Sequence, residues 1–141
     1  MLDQTDRPVV LLIEDEALLL LSLEEALEEA GFDVVGAPTG EIALTQFDAS
    51  PMRFDAVISD IRLGKGIDGW TVVRHCRQAK STLAVIYMSG DSANAWPAQG
   101  VPGSLMLSKP FVAAQVITGL STLLTEASHA ASIAAGNTTQ P

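Results

Sequence analysis

Five side chains with chemical potential each close an apolar run. Glu14 and Asp15 follow VVLLI, Asp60 follows AVIS, Ser89 follows LAVIYM and Lys109 follows LMLS. An aspartate in such a place serves as a turn residue, a metal ligand or a nucleophile. Three carboxylates brought into one crevice repel one another. At ~4 Å and an effective dielectric of about 20, each like-charged pair costs about 4 kcal/mol. Such a cluster holds protons or binds a cation; the plain alternative is a solvated acidic rim. Oxygen ligands with open coordination positions suit a hard ion, Mg²⁺ where phosphate is involved, with Mn²⁺ as a substitute. A hydroxyl (Ser89) and an ammonium (Lys109) beside that ion make a site for a tetrahedral anion. The anion need not be a free ligand, because Asp60 can itself act as nucleophile and carry a phosphoryl group. Lys109 then supplies a fixed positive charge, Ser89 bonds one oxygen, and Gly90 leaves room for the incoming donor. Pro110 biases Lys109 toward an extended conformation.

These residues converge only if the elements bearing them lie side by side. Val9 to Ile13, Phe32 to Val35, Phe54 to Asp60, Leu83 to Met88 and Gly103 to Leu107 read as five strands covered on both faces. Between them lie helical patterns. ALLLLSLEEALEEAG carries a stripe of Leu19, Leu23, Ala26, Leu27 and Ala30, with Gly31 as its terminator. Thr39 is a plausible N-cap for GEIALTQFDAS. GWTVVRHCRQAK turns Val72, Val73 and Cys76 inward and Arg74, Arg77 and Lys80 outward. Pro97 restricts SANAWPAQG to a short helix. A last helix from Phe111 to Ala127 packs through Val116, Ile117, Leu120, Leu123 and Leu124. Strands alternating with helices indicate an α/β fold with a five-stranded parallel sheet and helices on both faces. In the order 2-1-3-4-5, the crevice for ligands opens between strands one and three. Those are the strands that end in Glu14-Asp15 and Asp60. Residues 1–127 form one domain; the Ala/Ser/Thr-rich tail from Ser128 to Pro141 either extends the last helix or is disordered.

Composition narrows the classes further. The chain has 141 residues, a net charge of −9 and 48% hydrophobic residues. That charge argues against direct binding of nucleic acid or of an anionic membrane surface. No apolar run approaches the ~18 residues of a spanning helix, and the N-terminus lacks a signal-peptide core. A cytoplasmic protein without membrane insertion is expected. The lone Cys76 excludes an internal disulfide and reads as a packing residue.

IEDE after strand one, SD at the end of strand three, MSG after strand four and SKPF after strand five resemble, together and in order, the receiver domain of bacterial two-component response regulators. The similarity runs from about residue 7 to residue 125. It implies the flavodoxin-like receiver fold, with Asp60 as phosphoacceptor. Asp15, Glu14 and Asp60 would hold Mg²⁺ with help from the backbone carbonyl of Arg62; Ser89 would be the switch hydroxyl and Lys109 the phosphoryl contact. The implied partner is a sensor histidine kinase or a histidine phosphotransferase, and the implied role is a switch rather than a turnover enzyme. The output is a conformational change or onward phosphotransfer, and the chain resembles the stand-alone class. Two other classes compete. Phosphohydrolases resembling haloacid dehalogenases place Asp-x-Asp after strand one, where this chain has Glu14-Asp15-Glu16 and no cap insertion. A flavodoxin-like cofactor carrier needs phosphate-binding hydroxyls there instead of three acids.

The chain also departs from that pattern. The loop IRLGKGIDG has three glycines (Gly64, Gly66 and Gly69) and no Met-Pro, and Met106 stands where an aromatic usually precedes the lysine by three positions. Leu18 and Leu21 fall on the outer face of the first helix, near the acidic mouth, where a phosphodonor must approach. Arg62 and Asp91 carry opposite charges two residues beyond Asp60 and Ser89, close enough in the expected fold to pair. His75 and His129 lie away from the acids, and Trp70 and Trp96 read as packing residues.

Overall fold

The computed structural model describes residues 7–139, with side chains placed through residue 129. Its centre is a five-stranded parallel sheet in the order β2-β1-β3-β4-β5. The strands are β1 Val9–Ile13, β2 Asp33–Ala37, β3 Ala56–Asp60, β4 Ala84–Ser89 and β5 Leu105–Ser108. The helices are α1 Ala17–Glu29, α2 Gly40–Ala49, α3 Gly69–Ala79, α4 Trp96–Gln99 and α5 Ala113–Thr139. Alternate residues of the strands feed two cores. Leu11, Ile13, Val57, Val85 and Tyr87 pack with Phe47, Val72, Val73 and Cys76 on the α2–α3 face. Val10, Leu12, Ile58, Ile86 and Met88 pack with Leu23, Leu27, Val116 and Leu120 on the α1–α5 face. This two-sided burial explains why the strands read as nearly continuous apolar runs.

Strand and helix ends differ from the sequence reading for local reasons. Phe54 follows a 3-10 turn over Pro51–Arg53, and the Asp55 carboxylate accepts the Val9 N–H at 2.8 Å, so β3 begins only at Ala56. Gly103 has φ +73°, a turn conformation, and Ser104 Oγ donates back to the Val101 carbonyl at 2.6 Å; β5 therefore begins at Leu105. β2 starts one residue later than expected and ends two residues later, with Phe32 buried ahead of it. The last helix starts at Ala113 rather than Phe111 and runs to Thr139.

Thr39 accepts the Ile42 N–H at 3.1 Å and caps α2. Asp68 does the same for α3 through Thr71 N–H at 2.9 Å. α4 is a single four-residue turn with Pro97 inside it. The segment around it is fastened from several sides. Trp96 Nε1 donates to Ser104 Oγ at 2.9 Å, Val101 N–H donates to the Tyr87 hydroxyl at 3.0 Å, and Arg77 donates to the Pro102 carbonyl at 2.6 Å. Trp70 is buried with its ring 4.7 Å from that of Tyr87, a core role, and His75 pairs with Asp48 at 2.8 Å on the α2–α3 side. His129 is exposed on α5.

Candidate functional site

Parallel order places the carboxyl ends of β1, β3, β4 and β5 along one edge of the sheet. Glu14 follows β1 directly and its N–H donates to the Ala37 carbonyl at 3.1 Å, which ties the turn to β2. Asp60 is the last residue of β3, Ser89 the last of β4, and Lys109 follows β5 with its N–H on the Ser89 carbonyl at 2.8 Å. The turn after Lys109 contains a cis Lys109–Pro110 peptide.

Glu14, Asp15 and Asp60 each turn one carboxylate oxygen into a common space, with all three oxygens within 4.8 Å of one another. Among the described residues this is the grouping able to hold a metal ion. Glu14 and Asp60 are buried and Asp15 is exposed. Lys109 Nζ bridges the two buried acids, 3.0 Å from Asp60 Oδ2 and 3.1 Å from Glu14 Oε1. Glu14 Oε2 also accepts the Glu16 N–H at 3.0 Å.

The electrostatics follow from that crowding. Burial, reinforced by the Asp60 charge, pushes the Glu14 carboxyl up to about 7 despite the opposing pull of the Glu16 N–H and Lys109. Burial works against the Lys109 ammonium, yet its hydrogen bonds to Asp60 and Glu14 outweigh this and hold it above its ordinary value. When all are ionised, three carboxylates face one ammonium, and the excess negative charge matches a divalent cation. Hard oxygen ligands with one exposed, accessible member suit such an ion. The acidic cluster is therefore compatible with a divalent metal site.

Ser89 stands at the expected edge, but its Oγ accepts the N–H groups of Asp91 at 3.2 Å and Ser92 at 2.6 Å. Both bonds use its lone pairs and leave the hydroxyl proton uncommitted. A methyl built on Gly90 would meet nothing within 4 Å, so the space beside Ser89 is open. The Arg62 side chain pairs with Asp91 at 3.0 Å.

Gly69 was legible only as loop chemistry. A methyl at its position would lie 2.2 Å from the Asp60 carbonyl oxygen, and its N–H donates to the Ile61 carbonyl at 2.8 Å. The first residue of α3 must be glycine-sized for β3 to end where it does. Glu41 also touches the loop after β3, since its Oε2 accepts the Ile67 N–H at 3.1 Å. No local sequence signal links those two residues, which lie on different elements.

Comparison with known proteins agrees with this architecture. The family model described as "Response regulator receiver domain" matches residues 10–121. A response regulator receiver protein from Sinorhizobium medicae superposes with a TM-score of 0.83 at 38% identity, covering 86% of this chain and 98% of that one. The response regulator protein TrrA of Thermotoga maritima, solved in complex with Mg²⁺-BeF, gives a TM-score of 0.72 at 25% identity, over 82% and 98%. The transcriptional regulatory protein PrrA of Mycobacterium tuberculosis is 33% identical over 119 residues, which is 83% of this chain and 50% of PrrA. The chain thus spans about half the length of the curated relative. With the predicted strand order, the acidic cluster at its crevice and a family match covering most of its length, the chain belongs to the receiver domain family of two-component response regulators.

Proposed function

We propose that the protein is a phosphorylation-dependent signalling switch in which Asp60 accepts one phosphoryl group from a sensor histidine kinase or histidine phosphotransferase. The observation that carries this reading is the Lys109 ammonium bridging Asp60 and Glu14 inside a three-carboxylate cluster. An Asp60 oxygen attacks phosphorus as the donor's N–P bond breaks, and the leaving imidazole retains the bonding pair and takes up a proton. Lys109 is already within reach of the acceptor and pairs with the oxygens that gain charge. Ser89 donates its free proton to one of them. Asp15, Asp60 and Glu14, with the Arg62 carbonyl, would hold Mg²⁺ (or Mn²⁺), which when bound neutralises charge on the transferring oxygens. The Mg²⁺-BeF complex of TrrA supports that assignment. The output is a conformational change or onward transfer of the group, with a downstream protein target, and the protein is not a turnover enzyme.

Incubation with a small phosphodonor, with and without Mg²⁺, followed by intact-mass measurement tests this. Wild type should gain one phosphoryl group in a Mg²⁺-dependent manner. Asp60→Asn should gain none and Asp15→Ala should lose the Mg²⁺-dependent labelling. Full labelling of Asp60→Asn would overturn the acceptor. Turnover of many equivalents of a phosphate ester would instead make the protein a hydrolase.

A further inference from the structure

The loop that leaves Asp60 runs past the acidic cluster before α3 begins, and a different helix holds it there. Ile61 and Leu63 are buried, which anchors the start of the loop, and Asp68 caps α3 at its end. Between them, Gly64, Lys65 and Gly66 are exposed, and Gly64 has φ +70°. This stretch passes beside the metal-facing acids: a methyl on Gly64 would lie 3.9 Å from Asp15 Oδ2. Two glycines make it the segment with most backbone freedom to lose on ordering.

The first turn of α2 supplies the clasp. Glu41 Oε2 accepts the Ile67 N–H at 3.1 Å. The same carboxylate lies against Gly66, where a methyl would come 2.5 Å from Glu41 Oε1. Gly40 beside it leaves the room that Ile67 occupies, since a methyl there would meet Ile67 Cγ1 at 2.7 Å. Ile67 and Glu41 are thus the apolar and polar halves of one attachment between α2 and the loop. We propose that Glu41 is a positioning residue for the metal site, holding the Gly64–Gly66 segment beside Asp15 in the arrangement that metal binding requires. Without the clasp, ordering of that segment is charged to the binding step and affinity falls. The proposal rests on the metal assignment given above, and goes beyond it by naming a residue outside the cluster.

The test is an amide-shift titration of metal-free protein with MgCl₂, in wild type, Glu41→Ala and Glu41→Gln, with hydrogen exchange at Ile67 followed in the metal-free state. Glu41→Ala should weaken Mg²⁺ binding about fivefold, the worth of one hydrogen bond, and hasten exchange of the Ile67 amide. Glu41→Gln keeps an acceptor oxygen but removes the charge, and should bind Mg²⁺ close to wild type. Equal affinity in Glu41→Ala and wild type overturns the clasp while leaving the metal site standing. Equal weakening in both variants overturns it in favour of a simple field effect of the charge. Absence of Mg²⁺ binding in wild type takes down the metal assignment and the clasp together.

Discussion

Arg62 and Asp91 join the chain leaving β3 to the chain leaving β4, with Arg62 Nη2 3.0 Å from Asp91 Oδ2. Ser92 Oγ donates to the other oxygen of Asp91 at 3.1 Å, and Ser92 N–H donates to Ser89 Oγ. A continuous chain of polar contacts therefore runs from the Ser89 hydroxyl to the loop after Asp60. Both ionic side chains are largely exposed, so the pair adds little to folding stability. On the function proposed above its consequence would be kinetic, the pair joining the two loops beside the acceptor and obstructing a water that approaches in line with an acyl phosphate. Arg62→Ala and Asp91→Ala should each hasten decay of the phosphorylated protein about two- to fivefold, within what an exposed pair supplies. The double variant should add little further, as expected for groups that act as one unit. Phosphoprotein decay in Mg²⁺ without a partner measures this, and unchanged decay in both single variants would leave the side chain of Arg62 no part in it.

Among the elements, α1 has surface to spare for a partner. Leu23 and Leu27 satisfy the core, while Leu18 and Leu21 are 81% and 54% exposed. A pocket at the same end of α1 is lined by Glu16, Leu19, Lys109, Pro110 and Phe111, beside the ammonium that touches Asp60. On the function proposed above, a donor histidine would approach Asp60 past this end of α1. Leu21→Glu should slow transfer from the cognate histidine donor by about tenfold, the effect of one interface anchor. Labelling by a small phosphodonor should be unchanged. Equal slowing of both reactions would show damage to the fold instead. On the opposite side, the segment that follows the one-turn α4 is tied to β4 and α3 through Tyr87 and Arg77. Met106 is half-buried on β5 in register with Tyr87, where an unbranched thioether can repack without a ring rotation.

For the molecule as a whole, the crowded acids set stability against function. The buried Glu14 and Asp60 are held by one shared ammonium, an arrangement that a ligand of the native state relieves. Mg²⁺ at a hundredfold excess over its dissociation constant should stabilise the fold by about 2.7 kcal/mol. Asp15→Asn should lose most of that gain, while its metal-free midpoint should equal or exceed that of wild type because a like charge has been removed. Thermal unfolding with and without Mg²⁺ checks both halves, and an unmoved wild-type midpoint would contradict the first. No helix among the described residues is long and apolar enough to cross a membrane.

The local pattern of the chain was enough to place the strands to within a few residues and to set Glu14, Asp15, Asp60, Ser89 and Lys109 at their carboxyl ends, while the strand order that gathers them came with the family resemblance. Each of these residues ends an apolar run, and a run buried on both faces has to stop where the backbone reaches water. Sequence spacing also marked the outward leucines of α1 and the opposite charges of Arg62 and Asp91. Tertiary structure alone decided which atoms meet. Lys109 bridges Asp60 and Glu14 from 49 and 95 residues away. Gly69 lies against the Asp60 carbonyl, and Glu41 reaches Ile67 from another helix. The ends of β3 and β5 moved because Asp55 and Ser104 found partners in Val9 and Val101, which no hydrophobic period records. Periodicity reports which face of an element is covered, whereas hydrogen bonds and close backbone approaches depend on distances that exist only after the elements have packed.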